Sequence, residues 1–130
     1  MNNHQKKLLE LARNAAENAY AVYSGLHVGA AVLSTSGQFY SGCNVENVSF
    51  PVGTCAEESA IAAMICGGDT RIAAILIYAE SRNLISPCGA CRQRISEFAA
   101  PETSLYLANQ NGIQKTLTSQ ELLPCCFSEF

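Results

Sequence analysis

The spacing of apolar residues along the chain predicts one amphipathic helix followed by alternating strands and helices. Near the N-terminus, apolar side chains recur at every third or fourth position opposite a polar face, which is typical of a surface helix over residues 3–20. Further along, uninterrupted apolar runs indicate buried strands. Ser36-Gly37 lies between the first two runs and indicates a hairpin. The predicted strands cover residues 28–33, 38–43, 71–79 and 103–108.

Two longer helices are indicated by residues that typically cap helix starts. Thr54 and Glu57 match a capping box, in which both side chains accept hydrogen bonds from free backbone N–H groups, and Gly67-Gly68 would end that helix. Ser86-Pro87 places a typical N-cap before a proline at the first helical position, and this helix should run to about residue 99. The first of the two carries an apolar stripe formed by Ile61, Ala62, Ile65 and Cys66.

The order of these elements predicts the fold class. The chain reads helix, strand, strand, helix, strand, helix, strand, and then a short final helix at Thr118, where Glu121 completes another capping box. A hairpin followed by parallel strands with helical crossovers implies an α/β protein, with three α/β/α layers around one mixed sheet. Residues 44–54 read as a loop. Without repeats or linkers, residues 1–130 should form a single domain.

Composition narrows the classes of function. With 48% hydrophobic and 15% charged residues, the chain can bury a core, so disorder is not expected. Eight Lys and Arg against eleven Asp and Glu give a net charge of -3, which argues against binding nucleic acid through its phosphates. The longest apolar run, residues 72–79, is far shorter than the roughly 20 residues that span a membrane. The first 19 residues do not resemble a signal peptide, so we expect a cytoplasmic protein.

Seven cysteines are the unusual part of the composition. An odd number without an export signal argues against a disulfide framework and favours metal binding or catalysis. Cys55, Cys88 and Cys91 lie at the two predicted helix starts, where free N–H groups and the helix dipole favour thiolates. If the two starts converge, three thiolates suit Zn²⁺ and leave its fourth position for water, as in catalytic zinc sites.

Glu57 is the candidate acid and base beside such a zinc ion. It lies two residues after Cys55, too close in sequence to chelate comfortably but well placed to reach the water. A cysteine or histidine, then x-Glu, then Pro-Cys-x-x-Cys is the signature of zinc deaminases. Three simpler interpretations stay open: Glu57 as a cap only, Cys-x-x-Cys as a redox or structural zinc motif, and Cys55 as a core residue.

The chain resembles the small cytidine deaminases over nearly its whole length and in the family's order. The resemblance implies a cytidine deaminase-like fold, one zinc ion per subunit, a homotetramer, and hydrolysis of cytidine and 2'-deoxycytidine to uridine and 2'-deoxyuridine in pyrimidine salvage. Asn44 and Glu46, in the Cys-Asn-Val-Glu-Asn segment, point to a free nucleoside. The matching stretches are Tyr23-Ser24, Val28-Gly29-Ala30-Ala31, Gly42 to Asn47, Cys55-Ala56-Glu57, Ser86 to Gln93, and Leu122-Leu123-Pro124 with Phe127.

Family resemblance also assigns roles to individual residues. Asn44 and Glu46 match positions that bind the ribose hydroxyls, for which an amide and a carboxylate are suited. Glu57 would also hold N3 of the pyrimidine while water attacks C4, and the Ala56 backbone would contact the base edge. Leu26 replaces a common Phe and keeps an apolar wall for the base without ring stacking. Phe127 matches an aromatic residue that closes a neighbouring subunit's site, although burial in its own core is the equal alternative.

One departure from the family concerns the charge of the zinc site. Many members continue Cys-Ala-Glu with Arg, whereas this chain has Glu58. Zinc with three thiolates already carries a formal charge of -1, and nearby donors are needed to draw charge from the sulfurs. We therefore expect Glu58 to face away or to pair with a cation. We expect Arg92 or Arg94 to compensate the thiolates, with Arg92 preferred because it directly follows Cys91.

Three other functions stay open on the sequence alone. Blasticidin S deaminases also lack the Arg after Cys-Ala-Glu, so a modified cytosine nucleoside is the first alternative substrate. A structural zinc module without catalysis would need a fourth protein ligand, for which Cys43 or His27 would have to serve. Editing of polynucleotides is disfavoured by the net negative charge and by the ribose-type residues Asn44 and Glu46.

Overall fold

The computed structural model describes residues 1–130 and contains four α-helices and five strands. The helices are α1 (Asn3–Glu17), α2 (Ala56–Cys66), α3 (Gly89–Phe98) and α4 (Ser119–Leu122). The strands are β1 (Val28–Ser34), β2 (Phe39–Cys43), β3 (Ile72–Ala79), β4 (Ala99–Asn109) and β5 (Gly112–Thr118). A short 3₁₀ turn at Phe50–Val52 interrupts the predicted loop. No helix is both long and apolar enough to cross a membrane.

All five strands form one mixed sheet in the order β2-β1-β3-β4-β5. β1 is antiparallel to both β2 and β3, β3 and β4 are parallel, and β4 and β5 form an antiparallel hairpin. The predicted α/β class with a mixed sheet is therefore confirmed. The sequence pattern missed β5, because this edge strand is largely polar and only partly buried and so has no apolar run to indicate it.

The helices cover the two faces of the sheet and make three layers, as predicted. α1 packs its buried face, which includes Leu8 and Ala12, against Ala31 and Leu76. Helices α2, α3 and α4 pack on the opposite face against alternate strand residues such as Ile75 and Ile77. Because successive residues of β3 point to opposite faces and both are covered, the whole strand is apolar. Its continuous apolar run thus follows from the three-layer packing.

Three predicted helix bounds are corrected by the structure. α1 ends at Glu17 rather than near residue 20. α2 has Cys55 as its N-cap rather than Thr54, because Thr54 is held extended by two backbone hydrogen bonds to Val45 of 2.8 and 2.9 Å. α3 has Cys88 as its N-cap rather than Ser86, so it begins two residues later than predicted. Both cysteine motifs therefore begin at an N-cap.

The buried face of α2 also differs from the predicted stripe. The buried residues of α2 are Ala56, Glu57, Ala60, Ile61 and Met64. Ala62, Ile65 and Cys66, which the periodicity assigned to the core, are exposed. The close approach of β2 fixes this rotation, since a Cβ atom on Gly42 would lie 2.4 Å from the Ala60 nitrogen. α2 is thus apolar on both its inner and its outer face, a pattern typical of helices that are covered on both sides.

Candidate active site

The sheet topology brings the starts of α2 and α3 to the same edge. β2 and β3 point the same way, since both are antiparallel to β1, which lies between them. α2 follows β2 and α3 follows β3, so both helices begin beyond the carboxyl ends of these strands. This is the edge at which open α/β sheets commonly bind ligands.

Three cysteines from these helix starts form a cluster. The sulfur atoms of Cys55, Cys88 and Cys91 lie within 4.8 Å of one another. Cys91 is fully buried, Cys55 is half-buried, and Cys88 is exposed. The chemistry of this donor set fits Zn²⁺, which takes thiolate ligands in tetrahedral geometry, and three of them leave one position open. Neither Cys43 nor His27 belongs to the cluster, so the fourth ligand needed for a closed structural site is not at hand.

The protein environment shifts the pKa values of the three thiols in different directions. The backbone N–H group of Cys91 is the main influence that lowers the pKa of Cys88, in keeping with the position of Cys88 at the start of α3. Burial raises the pKa of Cys55 and of Cys91. Three sulfurs this close repel one another as thiolates, so a divalent cation among them would favour their charged form.

Glu57 lies beside the cluster in a buried position. Its side chain is 5% exposed and lines the same cavity as Cys55 and Cys88. Burial raises the pKa of Glu57 above that of an ordinary glutamate, as suits a group that both takes up and releases a proton. The interpretation of Glu57 as a mere cap is wrong, because Glu58 accepts the hydrogen bond from the Cys55 N–H at 3.3 Å.

Glu58 and Arg94 connect α2 with α3 next to the sulfurs. Arg94 Nη2 lies 3.4 Å from Glu58 Oε2, so the predicted pairing of Glu58 with a cation is confirmed. Arg94 Nη1 also donates a hydrogen bond of 3.5 Å to the Cys91 sulfur. Arg94 follows Cys91 by three residues, almost one helical turn, so both side chains lie on the same face of α3.

The expected role of Arg92 at the sulfurs is corrected by the structure. Its guanidinium donates three hydrogen bonds of 2.9 Å, to the backbone oxygens of Pro87 and Leu122 and to Ser86 Oγ. Adjacent residues of a helix point about 100° apart, so Arg92 is directed away from the face that carries Cys91. Arg92 therefore holds the segment before Cys88 and the end of α4, while Arg94 contacts the sulfur.

A cavity of about 570 Å³ opens in front of the cysteine cluster and Glu57. Its walls are apolar at Leu26, Val28 and Ile85, and its mouth is framed by Tyr23 and Phe50. The two mouth rings pack edge to face with their centroids 5.8 Å apart. Among the lining residues are two carboxylates and no Lys, Arg or His. The cavity thus offers flat apolar walls, with acidic groups at its polar positions.

Asn44 and Glu46 line the cavity and also shape its wall. Glu46 accepts hydrogen bonds from the backbone N–H groups of Tyr23 and Ser24, both at 3.0 Å, and from the Ser24 hydroxyl. The Ser24 hydroxyl is the main reason that the pKa of Glu46 is lowered. Asn44 accepts from the Val28 N–H at 2.9 Å and donates to the Leu26 carbonyl at 2.8 Å. Both residues thereby fix the segment that carries Leu26 into the wall.

Family resemblance placed the loop before Cys88 at the base edge, but sequence reasoning did not foresee these contacts or identify Ile85 as part of the wall. Glu46 binds backbone groups 22 and 23 residues away, and no local pattern marks such a contact. Ile85 lies in the irregular segment between β3 and α3, where apolar periodicity carries no information. The only available signal was the presence of Tyr23-Ser24 among the family-like stretches.

Phe127 lies outside the cavity of its own chain. Its side chain is 67% exposed, so burial in the core, the alternative left open by the sequence, is wrong. The Phe127 carbonyl accepts a hydrogen bond of 2.9 Å from Gln93 Nε2, which ties the C-terminal segment to α3. Its ring stacks on Phe130 at 6.3 Å between centroids. The ring is therefore presented to the outside.

Comparisons with known proteins agree with this geometry. Residues 2–107 match the profile of the family described as the cytidine and deoxycytidylate deaminase zinc-binding region. A cytidine deaminase of Sporosarcina psychrophila is 39% identical over 95% of this chain and 91% of its own length. The crystal structure of a cytidine deaminase from Burkholderia pseudomallei superposes with a TM-score of 0.88 at 38% identity, covering 98% of this chain and all of the other. A blasticidin-S deaminase of Bacillus cereus is 33% identical over 89% of each chain.

Proposed function

The chain belongs to the family of cytidine and deoxycytidylate deaminases, and we propose that it hydrolyses cytidine and 2'-deoxycytidine to uridine and 2'-deoxyuridine with release of ammonia. It is a zinc-dependent hydrolase of the cytidine deaminase type. The observation that carries the proposal is the buried Glu57 beside three clustered cysteines at the inner end of a cavity with apolar walls. A planar pyrimidine fits between such walls, and the more polar lining residues suit a ribose.

We propose that Cys55, Cys88 and Cys91 hold the zinc ion. When bound, zinc supplies a Lewis acid that makes water nucleophilic near neutral pH. Glu57 would take a proton from the attacking water and pass it to N3 of the ring. It would then carry the second proton of that water from the new hydroxyl group at C4 to the amine, which leaves as ammonia while the C4 carbonyl forms. One water is consumed and one ammonia is released, so the reaction balances without a redox partner.

The remaining cavity residues would orient the nucleoside. Leu26, Val28 and Ala56 line the cavity, so Leu26 and Val28 would offer apolar surface to the faces of the base, and the Ala56 backbone at the start of α2 would contact its edge. Asn44 and Glu46 would bind the ribose hydroxyls. The Glu46 carboxylate has about four acceptor positions, and three are used within the chain, so one more hydrogen bond is available to a ligand.

The two main alternatives are not favoured. The cytidine deaminase of Sporosarcina psychrophila matches at higher identity than the blasticidin-S deaminase, 39% against 33%. A structural zinc module would need Cys43 or His27 in the cysteine cluster, and neither is there.

Assembly and location are proposed on separate grounds. We propose a homotetramer in which Phe127 reaches a neighbouring subunit's cavity, supported by its exposure and by the exposed apolar side chains of Val48, Phe50 and Val52 near the cavity mouth. Seven free cysteines suit a reducing compartment, which supports a cytoplasmic enzyme of pyrimidine salvage. We further propose that residues 1–130 act as one domain.

Zinc-loaded protein mixed separately with cytidine, 2'-deoxycytidine, cytosine and blasticidin S tests the proposal. Loss of ultraviolet absorbance and release of ammonia should be seen with the first two. Glu57→Gln keeps the shape of the side chain and should lower kcat by about 10²–10⁴-fold while zinc content is unchanged. Turnover of none of the four compounds by zinc-loaded protein would refute the deaminase assignment. A Glu57→Gln variant of wild-type rate would refute the role of Glu57.

A further inference from the structure

A continuous set of polar contacts links the backbone of one zinc-site cysteine to the sulfur of another. The Cys55 N–H donates to Glu58 Oε1 at 3.3 Å. The other carboxylate oxygen, Oε2, lies 3.4 Å from Arg94 Nη2. Arg94 Nη1 then donates to the Cys91 sulfur at 3.5 Å. The contacts cross from α2 to α3, and each carboxylate oxygen has its own partner.

We propose that Arg94 is a positioning residue for the Cys91 sulfur, and that Glu58 holds the Arg94 guanidinium at that sulfur. The inference rests on the proposed function in one respect only, which is that the three cysteines bind zinc. It assigns a role to the carboxylate that stands where many relatives have arginine.

The exposure of the Arg94–Glu58 pair indicates that it orients Arg94 and contributes little to the stability of the fold. The side chains of Arg94 and Glu58 are 38% and 37% exposed, and ion pairs at such positions contribute little to the free energy of unfolding. An arginine this exposed also has many alternative rotamers directed into solvent. A fixed partner at 3.4 Å restricts those rotamers, so Glu58 increases the fraction of time that Arg94 spends at the sulfur.

The net charge of the Arg94–Glu58 pair shows that it positions a hydrogen-bond donor and does not neutralise the zinc site. Zinc with three thiolates has a formal charge of -1, and Arg94 with Glu58 adds no net charge. The pair therefore acts by placing a hydrogen-bond donor on one sulfur. A donor at a thiolate draws electron density from it, which stabilises the charged ligand and leaves the metal more electrophilic. Cys91 is the sulfur that needs such a donor most, because it is fully buried.

Metal binding and cobalt spectroscopy test the proposal without relying on turnover. Zinc affinity is measured by competition with a chromophoric chelator, and the sulfur-to-metal charge-transfer band is recorded after Co²⁺ is substituted for Zn²⁺. Arg94→Ala should weaken zinc binding by about 10–100-fold and move the band to longer wavelength, because the sulfur regains electron density. Glu58→Ala should shift both quantities in the same direction, by less. Arg82→Ala, at an exposed arginine without hydrogen bonds or ion pairs, is the matched control.

Two further variants identify what Glu58 contributes. Glu58→Gln keeps the shape of the side chain but has a single acceptor oxygen, so it can accept from Cys55 or from Arg94 and not from both, and its zinc affinity should lie between those of wild type and Glu58→Ala. The double variant Glu58→Ala/Arg94→Ala should be no worse than Arg94→Ala, since both residues act through one contact. Arg94→Lys keeps the positive charge but lacks the planar guanidinium that contacts both Glu58 and the Cys91 sulfur. If Arg94→Ala fails to fold, Arg94→Lys should show the same shift of the charge-transfer band.

The outcomes separate this inference from the proposed function. Wild-type protein that binds no zinc would overturn the proposed function. Wild-type protein that binds zinc normally, together with an Arg94→Ala variant of unchanged affinity and unchanged cobalt spectrum, would overturn only the role of Arg94. A Glu58→Ala variant with the zinc affinity and the cobalt spectrum of wild type would overturn the positioning role of Glu58.

Discussion

Replacing Arg92 by alanine should destabilise the fold without releasing the metal. The substitution removes three hydrogen bonds of 2.9 Å, to the carbonyls of Pro87 and Leu122 and to the Ser86 hydroxyl. These bonds join α3 to the segment before Cys88 and to the end of α4, and both of these segments make few other hydrogen bonds. Arg92 makes no hydrogen bond to the cysteine sulfurs, so the three proposed zinc ligands keep their neighbours.

The size of the effect follows from the three bonds. A half-buried hydrogen bond from a charged donor contributes about 1 kcal/mol net, and the bond to the exposed Ser86 contributes less. The loss of stability is therefore about 2–3 kcal/mol. For a chain of this length, that corresponds to a fall in Tm of roughly 6–12 °C. Catalysis should also fall, because Ser86 and Cys88 line the cavity.

Thermal unfolding of zinc-loaded and zinc-free protein measures the effect. Wild type, Arg92→Ala and the control Arg82→Ala are compared at one protein concentration, because the Tm of an oligomer depends on it. Zinc affinity of Arg92→Ala should stay within a few fold of wild type. If Arg92→Ala instead has the same Tm as Arg82→Ala and binds zinc weakly, then Arg92 acts on the thiolates, as the sequence alone suggested.

Other predictions concern packing, pH and the metal. Gly29→Ala would place a Cβ 1.8 Å from the Ala12 carbonyl oxygen, so α1 must move off the sheet at a cost of about 1–3 kcal/mol or more; an unchanged urea midpoint would contradict this packing. Hydrogen bonds from Tyr40 and two serines lower the pKa of Asp69. The stabilisation that these hydrogen bonds provide is present above the usual pKa of an aspartate and is lost as the pH falls through the lowered value. Between about pH 5 and 3, the free energy of unfolding should therefore fall more for wild type than for Asp69→Asn. The same contact raises the pKa of Tyr40, so its contribution is present below about pH 10 and is lost as the pH rises through the raised value. Removing zinc with a chelator should abolish deamination and lower Tm, and added zinc should restore both; full turnover by metal-free protein would exclude a catalytic metal.

The hydrophobic pattern identified most of the secondary structure because strands and long helices carry their own periodicity. Strands β1, β2 and β3 lie within one or two residues of their predicted bounds. β4 begins four residues earlier than predicted, and β5 was not predicted. β5 pairs through its backbone with β4, and its side chains, none of them fully buried, need no apolar run. Backbone pairing at a sheet edge places weak constraints on side chains, so the sequence contains little trace of it.

Within the site, the sequence predicted which residues carry the chemistry, and the tertiary structure decided how they are supported. Cys55, Cys88, Cys91 and Glu57 stand out in the sequence because a deaminase needs these residue types at these spacings. Their neighbours could not be assigned in the same way. Arg92 and Arg94 both lie within three residues of Cys91, and only the orientation of α3 against α2 places Arg94 at the sulfur.

The sequence by itself therefore determined the α/β class, the cysteine and glutamate motifs and the resemblance to a family, because these depend on residue type and local spacing. Tertiary structure decided the N-caps at Cys55 and Cys88, the outward face of α2 and the partner of Glu58. Each of these depends on a contact between segments distant in the chain: Thr54 is held extended by Val45, Gly42 sets the rotation of α2, and Arg94 reaches Glu58 of α2 from α3. Contacts of this kind are fixed by the packing of whole elements, which no local pattern encodes.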